Sequence, residues 1–309
     1  MSATRAVVFA YHDVGVRCLK VLLSAKVEVP LVVTVRDDPE EQRWFASVAE
    51  TAREYRLEVS MPDEPGCPEL ARRLGDIRPD FIFSFYYRSL LAARLLSSAR
   101  RGALNMHGSL LPKYRGRAPV NWAILNGELE TGATLHYMVD RADAGDIVDQ
   151  VAVPILADDD AREVFGKVTT AAEIVLARSL PGLIAGNAPR RPQPIEPGQY
   201  FGRRRPEDGR IDWGQPALRI HNLVRAVAPP FPGAFTEVDG QRWWIHRTRL
   251  ETRTIGGSPR ARLFGEQGAC YAACADGGLL RILAAATAQG PIDLPQRARE
   301  LEARPAALT

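Results

Sequence analysis

Two side chains able to do chemistry stand two residues apart in the run Leu104-Asn105-Met106-His107-Gly108-Ser109-Leu110-Leu111-Pro112. If Ala103 to His107 is a strand, Asn105 and His107 leave the same face of it and can converge on one reacting atom. The Asn105 amide can donate to an oxyanion developing on a carbonyl, and the His107 imidazole can move a proton near neutral pH. A carboxylate would complete the set by orienting the ring and favouring its charged form. Asp143 is the candidate, within Val139-Asp140-Arg141-Ala142-Asp143-Ala144-Gly145-Asp146, after a strand expected at Thr134 to Met138. Asp140 and Asp146 compete with it, and spacing alone does not choose among them.

Other chemistries lack their motifs. No G-x-S-x-G elbow presents a serine nucleophile, so direct attack by a substrate amine fits better than a covalent intermediate. No G-x-G-x-x-G or G-x-x-x-x-G-K-[ST] pattern occurs, which disfavours a nicotinamide dehydrogenase or a nucleotide triphosphatase. Cys18, Cys67, Cys270 and Cys274 have no paired two-residue spacing, so no metal site is expected and reduced thiols are the reading.

The elements that must position these residues follow from periodicity. The first half alternates apolar β-rich runs with helical stretches: Ala6 to Ala10, Val16 to Ala25, Val29 to Val35, and a helix around Trp44 to Tyr55. It continues with Leu57 to Ser60, Pro68 to Gly75, the two-faced apolar run Phe81 to Phe85, a helix over Ser89 to Ser98, and Ala103 to His107. That rhythm predicts a mostly parallel α/β sheet with helices on both faces, and its ligand loops follow the strands. The first such loop is Tyr11 to Gly15. Asp160 with Glu163 caps a long helix running to Gly186. Pro189, Pro192, Pro194 and Pro197 then form a connector. Beyond it lie a helix from Ala217 to Ala228 and short strands at Ala234 to Val238, Trp243 to Arg249, Ala269 to Ala273 and Leu279 to Ala284, read as a small β-barrel. The expected domains are residues 1–200, Rossmann-like, and 201–309, an OB-like barrel.

Composition sets the outer bounds. With 309 residues and 46% apolar content the chain can bury a large core. A net charge of +3, from 40 basic and 37 acidic residues, leaves no bulk electrostatic demand for nucleic acid or an anionic membrane. The run up to Ala10 is too brief for a signal segment or a membrane span, and a cytoplasmic location is expected.

The stretch His107-Gly108-Ser109-Leu110-Leu111-Pro112-Lys113-Tyr114-Arg115-Gly116-Arg117-Ala118-Pro119 closely resembles the signature loop of the folate-dependent formyltransferases. The resemblance covers most of the chain. It implies a Rossmann-like domain followed by a barrel, 10-formyltetrahydrofolate as co-substrate, and Asn105, His107 and Asp143 as the catalytic triad. It also implies folate contacts at Ser89, Leu90, Leu91, Arg117 and Val139, Asp140, Arg141, Ala142 and Asp143.

Within that family, Val8 to Asp13, Phe83 to Arg88, Phe201 to Arg204 and Phe231 to Phe235 resemble the domain that formylates UDP-4-amino-4-deoxy-L-arabinose in bifunctional enzymes of lipid A modification and antibiotic resistance. The implied partners are folate and a UDP-sugar. Those enzymes continue into an oxidative decarboxylase domain, and no second activity is expected of this sequence. Phosphate or diphosphate binding at Arg203 to Arg205 is a weaker implication. His12, His136, His221 and His246 read as structural or exposed, His12 alone meriting attention. The enzymatic rivals are formylation of another amino sugar nucleotide and of methionyl-tRNA. Against the latter, the loop Arg36 to Arg43 holds more acids than bases, and a tRNA grip must neutralise phosphates. A folate- or nucleotide-binding module without catalysis is the rival from another class, and the complete triad argues against it.

Overall fold

The computed structural model of the chain describes residues 3–36, 43–196, 200–256 and 260–308. Positions 37–42 of the acidic loop and Pro197 of the connector lie outside the described residues. The chain forms two units: Met1–Pro119 with Glu130–Pro154 and Gly166–Gly202, and Val120–Leu129 with Ile155–Phe165 and Arg203–Thr309.

Through the first two-thirds of the chain the elements are β1 (Arg5–Ala10), α1 (His12–Ser24), β2 (Glu28–Val33), α2 (Val48–Glu54), β3 (Val59–Ser60), α3 (Pro68–Ile77), β4 (Phe81–Phe85), α4 (Ala93–Leu96), β5 (Gly102–His107), β6 (Arg115–Gly116), α5 (Pro119–Leu125), β7 (Glu130–Tyr137), β8 (Ile147–Pro154), α6 (Ala161–Ala185) and β9 (Tyr200–Phe201). The main sheet of the first unit runs β3-β2-β1-β4-β5-β7-β8. Its first five strands are parallel, and β7 and β8 close the edge antiparallel. The mostly parallel α/β sheet is therefore as expected, with an antiparallel edge that the βα rhythm did not reveal.

All five side chains of β4 are buried, because one face meets α3 and α4 while the other is also covered. Val7, Phe9, Ile82, Leu70, Leu74, Leu91 and Leu95 form one such layer. Strand order reverses between β1 and β4, which makes the loops after β1, β4 and β5 the natural place for a ligand.

Two local expectations need correction. Tyr11 to Gly15 is not a loop: Tyr11 is extended and α1 starts at His12, so the strand enters the helix directly. Ser89 to Ser98 is helical only over Ala93–Leu96. Ala92 is extended, and the hydroxyls of Ser97 and Ser98 donate to the Arg94 carbonyl, competing with the continuing helix bonds.

The helix α6 starts on the expected cap: the Asp160 N–H donates to Glu163 and the Glu163 N–H to Asp160, both at 2.9 Å. It is the one described helix long and apolar enough to cross a membrane, and Val168, Ala171, Ala172, Val175, Leu176, Leu180 and Leu183 spend that apolarity on the core.

The second unit adds α7 (Ala217–Ala226), β10 (Ala234–Val238), β11 (Gln241–Thr254), β12 (Arg262–Glu266), β13 (Ala269–Ala273), β14 (Gly278–Thr287), β15 (Gly290–Pro291), α8 (Leu294–Ala303) and β16 (Ala306–Ala307). Its antiparallel, barrel-like sheet runs β10-β11-β14-β13-β12-β16, with β15 beside β14. Ile220, Val224, Trp243, Ile245, Leu263, Leu280 and Ile282 pack its core.

Candidate active site

Asn105 and His107 end β5 on one face, as the strand spacing requires, and β7 lies beside them with His136 opposite Asn105 and Thr134 opposite His107. The 139–146 loop then turns back over this end of β5. Asp143 sits there at φ 52°, in the left-handed region that short polar residues tolerate better than bulky ones. The turn is tight, since a side chain on Gly145 would place its Cβ 2.0 Å from the Tyr137 carbonyl oxygen.

The Asp143 Oδ1 collects three neighbours: Asn105 Nδ2 at 3.4 Å, His136 Nε2 at 3.5 Å and His107 Nδ1 at 3.6 Å. Its Oδ2 accepts the Gly116 N–H at 3.0 Å. Burial alone would push this carboxyl up, but the His107 charge, the bond and charge of His136, and the Gly116 N–H outweigh it and hold Asp143 well below the usual carboxylate range. The carboxylate is thus kept ionised. His107 Nε2 lies 2.9 Å from the Tyr114 carbonyl oxygen. Both ring nitrogens face acceptors, an arrangement that the doubly protonated ring satisfies with both N–H groups.

Of the three carboxylates that spacing left open, Asp143 alone converges on Asn105 and His107. Asp146 instead pairs with Arg190 at 3.4 Å, and Asp140 is exposed.

His136 belongs to the cluster although the sequence reading left it structural. Its Nε2 is 3.2 Å from Asn105 Nδ2, its Nδ1 is 2.9 Å from the Tyr137 carbonyl oxygen, and it is fully buried. The legible signal was its period: it stands two residues from Thr134 on a strand otherwise apolar at its end. With Asp143 as its acceptor and His136 beside it, the Asn105 amide is turned inward, and presenting an N–H to an oxyanion requires giving up the bond to Asp143.

The loop from Gly108 to Ala118 is fastened to β7 and β8. Thr134 Oγ1 donates to the Ser109 carbonyl at 2.6 Å and accepts the Leu111 N–H at 3.2 Å, while Gln150 Nε2 donates to the Leu111 carbonyl at 2.8 Å. Its far end pairs β6 with β9, and the Arg117 N–H donates to the Phe201 carbonyl. A Cβ on Gly116 would lie 2.3 Å from that same oxygen, so this close approach demands glycine.

The residues implied for folate differ in exposure. Leu91 is buried in the core, Leu90 is 75% exposed and Val139 is 48% exposed, at the ends of β4 and β7. Ser89, Ala142 and Asp143 are half-buried, and Arg117, Asp140 and Arg141 are exposed. The exposed apolar Leu90 and Val139 are the kind of surface that a flat aromatic ligand covers.

Comparison with known proteins adds to this geometry. The formyl transferase family matches residues 12–180, and the formyl transferase C-terminal domain matches residues 204–298. Among solved structures, the chain is similar to an N-formyltransferase from Helicobacter canadensis in complex with folinic acid and dTDP-3-aminofucose, with 21% identity, 91% of this chain and 99% of that one covered, and a TM-score of 0.71. It is similar to WlaRD, a sugar 3N-formyltransferase solved with dTDP and 5-N-formyl-THF, with 20% identity, 91% and 98% coverage and a TM-score of 0.72. A 4-N formyltransferase from Francisella tularensis shares 22% identity over 82% of this chain and 99% of that one, with a TM-score of 0.64. At these identities the likeness establishes a common fold.

Proposed function

We propose, from the premise that the chain belongs to the folate-dependent formyl transferase family, that this enzyme carries the formyl group of 10-formyltetrahydrofolate to the primary amine of a nucleotide-linked amino sugar. The observation that carries the reading is the convergence of Asn105, His107 and Asp143 at the end of β5. The folate and aminosugar complexes of the structural relatives support both substrate classes. The specific acceptor we propose, by the resemblance of Phe83 to Arg88 and Phe201 to Arg204, is UDP-4-amino-4-deoxy-L-arabinose.

The neutral amine attacks the formyl carbon, a C–N bond forms, and the carbonyl π pair moves to oxygen to give a tetrahedral oxyanion. Asn105 and His107 donate to that oxyanion once the inward bond of Asn105 and the Tyr114 contact of His107 are exchanged for it. The proton that the attacking nitrogen loses is relayed through His107 towards N10 of the folate, which departs as the C–N10 bond breaks. Asp143, held ionised by its neighbours, keeps the imidazole oriented. Ser89, Leu90, Leu91, Arg117, Val139 and the backbone of residues 140–143 line the folate side in this proposal. The balanced charge supports a small-molecule acceptor over tRNA.

The deciding experiment offers 10-formyltetrahydrofolate with UDP-4-amino-4-deoxy-L-arabinose, a dTDP-linked amino sugar and charged initiator tRNA separately, with products identified by mass. Formylation of the arabinose nucleotide is expected, and formylation of tRNA alone would overturn the acceptor. His107→Ala should lower turnover by roughly two to four orders of magnitude without unfolding the protein. Near-normal turnover of the folded variant would remove His107 from the mechanism.

A further inference from the structure

One cation beside the triad has no role in the scheme above. Arg115 is only 3% exposed, yet its Nε and Nη1 are buried without a hydrogen-bond partner. The contrast within the same chain is Arg225, also buried, which donates through Nε, Nη1 and Nη2 to Asn222 and to the carbonyls of Leu156 and Asp159. A buried guanidinium left without acceptors is costly, and such a site is completed by an anion. Arg115 immediately precedes Gly116, whose N–H holds Asp143. Arg141 immediately precedes Ala142 on the other strand of that contact, is exposed, and makes no side-chain hydrogen bond or ion pair among the described residues. Along the chain Arg115 is thus one residue from Gly116 and Arg141 two from Asp143, and the charges of both Arg141 and Asp143 act on Arg115. Burial, and next the charge of Arg141, depress the proton affinity of Arg115, against the opposing pull of Asp143 and Tyr200. Asp143 does not cancel these cations by bonding to them, because its Oδ2 takes the Gly116 N–H and its Oδ1 faces Asn105, His136 and His107.

We propose that Arg115 and Arg141 form an anion subsite that grips the diphosphate of the acceptor nucleotide, one sugar ring from the reacting amine. This rests on the reading of the acceptor as an amino sugar nucleotide. Guanidinium forks match phosphate oxygens in pairs, which suits two arginines and a diphosphate. The amine at C4 and the diphosphate at C1 stand on opposite sides of a single pyranose ring, so a site beside Asp143 is at the right remove. The glutamate carboxylates of the folate are separated from N10 by a whole benzoyl ring and an amide, too far along that ligand for a subsite adjoining the triad.

The test titrates UDP and dTDP, each against its monophosphate, by calorimetry without folate, into wild type, Arg115→Lys, Arg115→Met and the surface variant Arg141→Ala. Initial rates with both substrates accompany it. Wild type should bind the diphosphates more tightly than the monophosphates. Arg115→Met and Arg141→Ala should each weaken diphosphate binding about tenfold and raise the acceptor KM similarly, with the folate KM and the pH profile of kcat unmoved and Arg115→Lys intermediate. Unchanged diphosphate affinity with a raised folate KM would assign the arginines to the glutamate tail and overturn the proposal. Unchanged affinity and KM with a shifted kcat profile would show that Arg115 acts only on Asp143, and would overturn it equally. Loss of diphosphate affinity in Arg141→Ala together with no formylation of any amino sugar nucleotide by wild type would leave the subsite standing and sink the acceptor instead.

Discussion

Two residues carry their protonation state in their surroundings, and each makes a prediction of definite sign. Asp143 is held below the usual carboxylate range despite burial, so it contributes stability above the unfolded value of roughly 4 and loses it as the pH falls towards the folded value. Asp143→Asn should therefore flatten the loss of urea stability between pH 6 and pH 3 while lowering turnover by orders of magnitude. An equally steep acid loss in the variant would contradict the ionised carboxylate. His12 goes the other way in charge but not in sign. Burial, with the charge of Arg88 second, lowers it from 6.5 to about 3, and its Nδ1 accepts the Asp13 N–H at 2.9 Å, as only an unprotonated nitrogen can. Its ring stacks on Phe45 with centroids 4.0 Å apart. The unfolded state binds the proton first, so this contribution is complete above pH 6.5 and declines as the pH falls from there to about 3. Between pH 7 and pH 5 the wild type should lose about 2 kcal/mol that His12→Phe does not, read from urea midpoints at both pH values. Parallel losses would show that His12 is not buried neutral.

The segment after α6 acts on the site as an element. Gln193 Nε2 donates to the carbonyls of Gly145 at 2.6 Å and Asp143 at 3.2 Å, Arg191 and Ile147 exchange backbone bonds, and Arg190 lies over the Tyr137 ring. This strap holds the turn in which Asp143 adopts its left-handed backbone. Gln193→Ala should lower kcat by about tenfold, the scale of one or two lost hydrogen bonds, and leave the acceptor KM unchanged. A raised KM with unchanged kcat would show that the strap serves binding instead. The sequence exposed only the prolines here, because a strap is defined by what it crosses. The same limit explains other elements. β4 and α7 were legible because their apolar pattern records their own burial. β6 and β9 are two residues each and exist only through pairing with one another, so no periodicity could announce them. Asn105 and His107 were legible from strand spacing, whereas choosing Asp143 over Asp140 and Asp146 needed either the family resemblance or the turn itself. His136 required knowing that β7 runs antiparallel in a register that sets it against Asn105.

At the scale of the molecule, chain order and spatial units do not coincide. The second unit includes Val120–Leu129 and Ile155–Phe165, which lie upstream of its barrel in sequence. Those segments supply acceptors and donors that the barrel side needs. His221 Nε2 donates to the Ala157 carbonyl at 3.0 Å, Arg225 Nη1 to the carbonyls of Leu156 and Asp159, and Asn121 Nδ2 to the Ala226 carbonyl at 2.7 Å. Cutting the chain after Gly202 would leave His221 and Arg225 with unmet buried groups, each costing about 1–3 kcal/mol. Against a total stability on the order of 5–15 kcal/mol, two or three such losses are decisive. Residues 203–309 alone are therefore expected to melt without a cooperative transition, or well below the intact protein. Residues 1–202 keep every segment of the sheet that carries Asn105, His107 and Asp143, and are expected to retain a cooperative melt. Thermal unfolding of the two pieces, followed by circular dichroism beside the intact chain, is the comparison to make. A barrel fragment that melts at the temperature of the whole would mean that the two upstream segments contribute contacts but not stability.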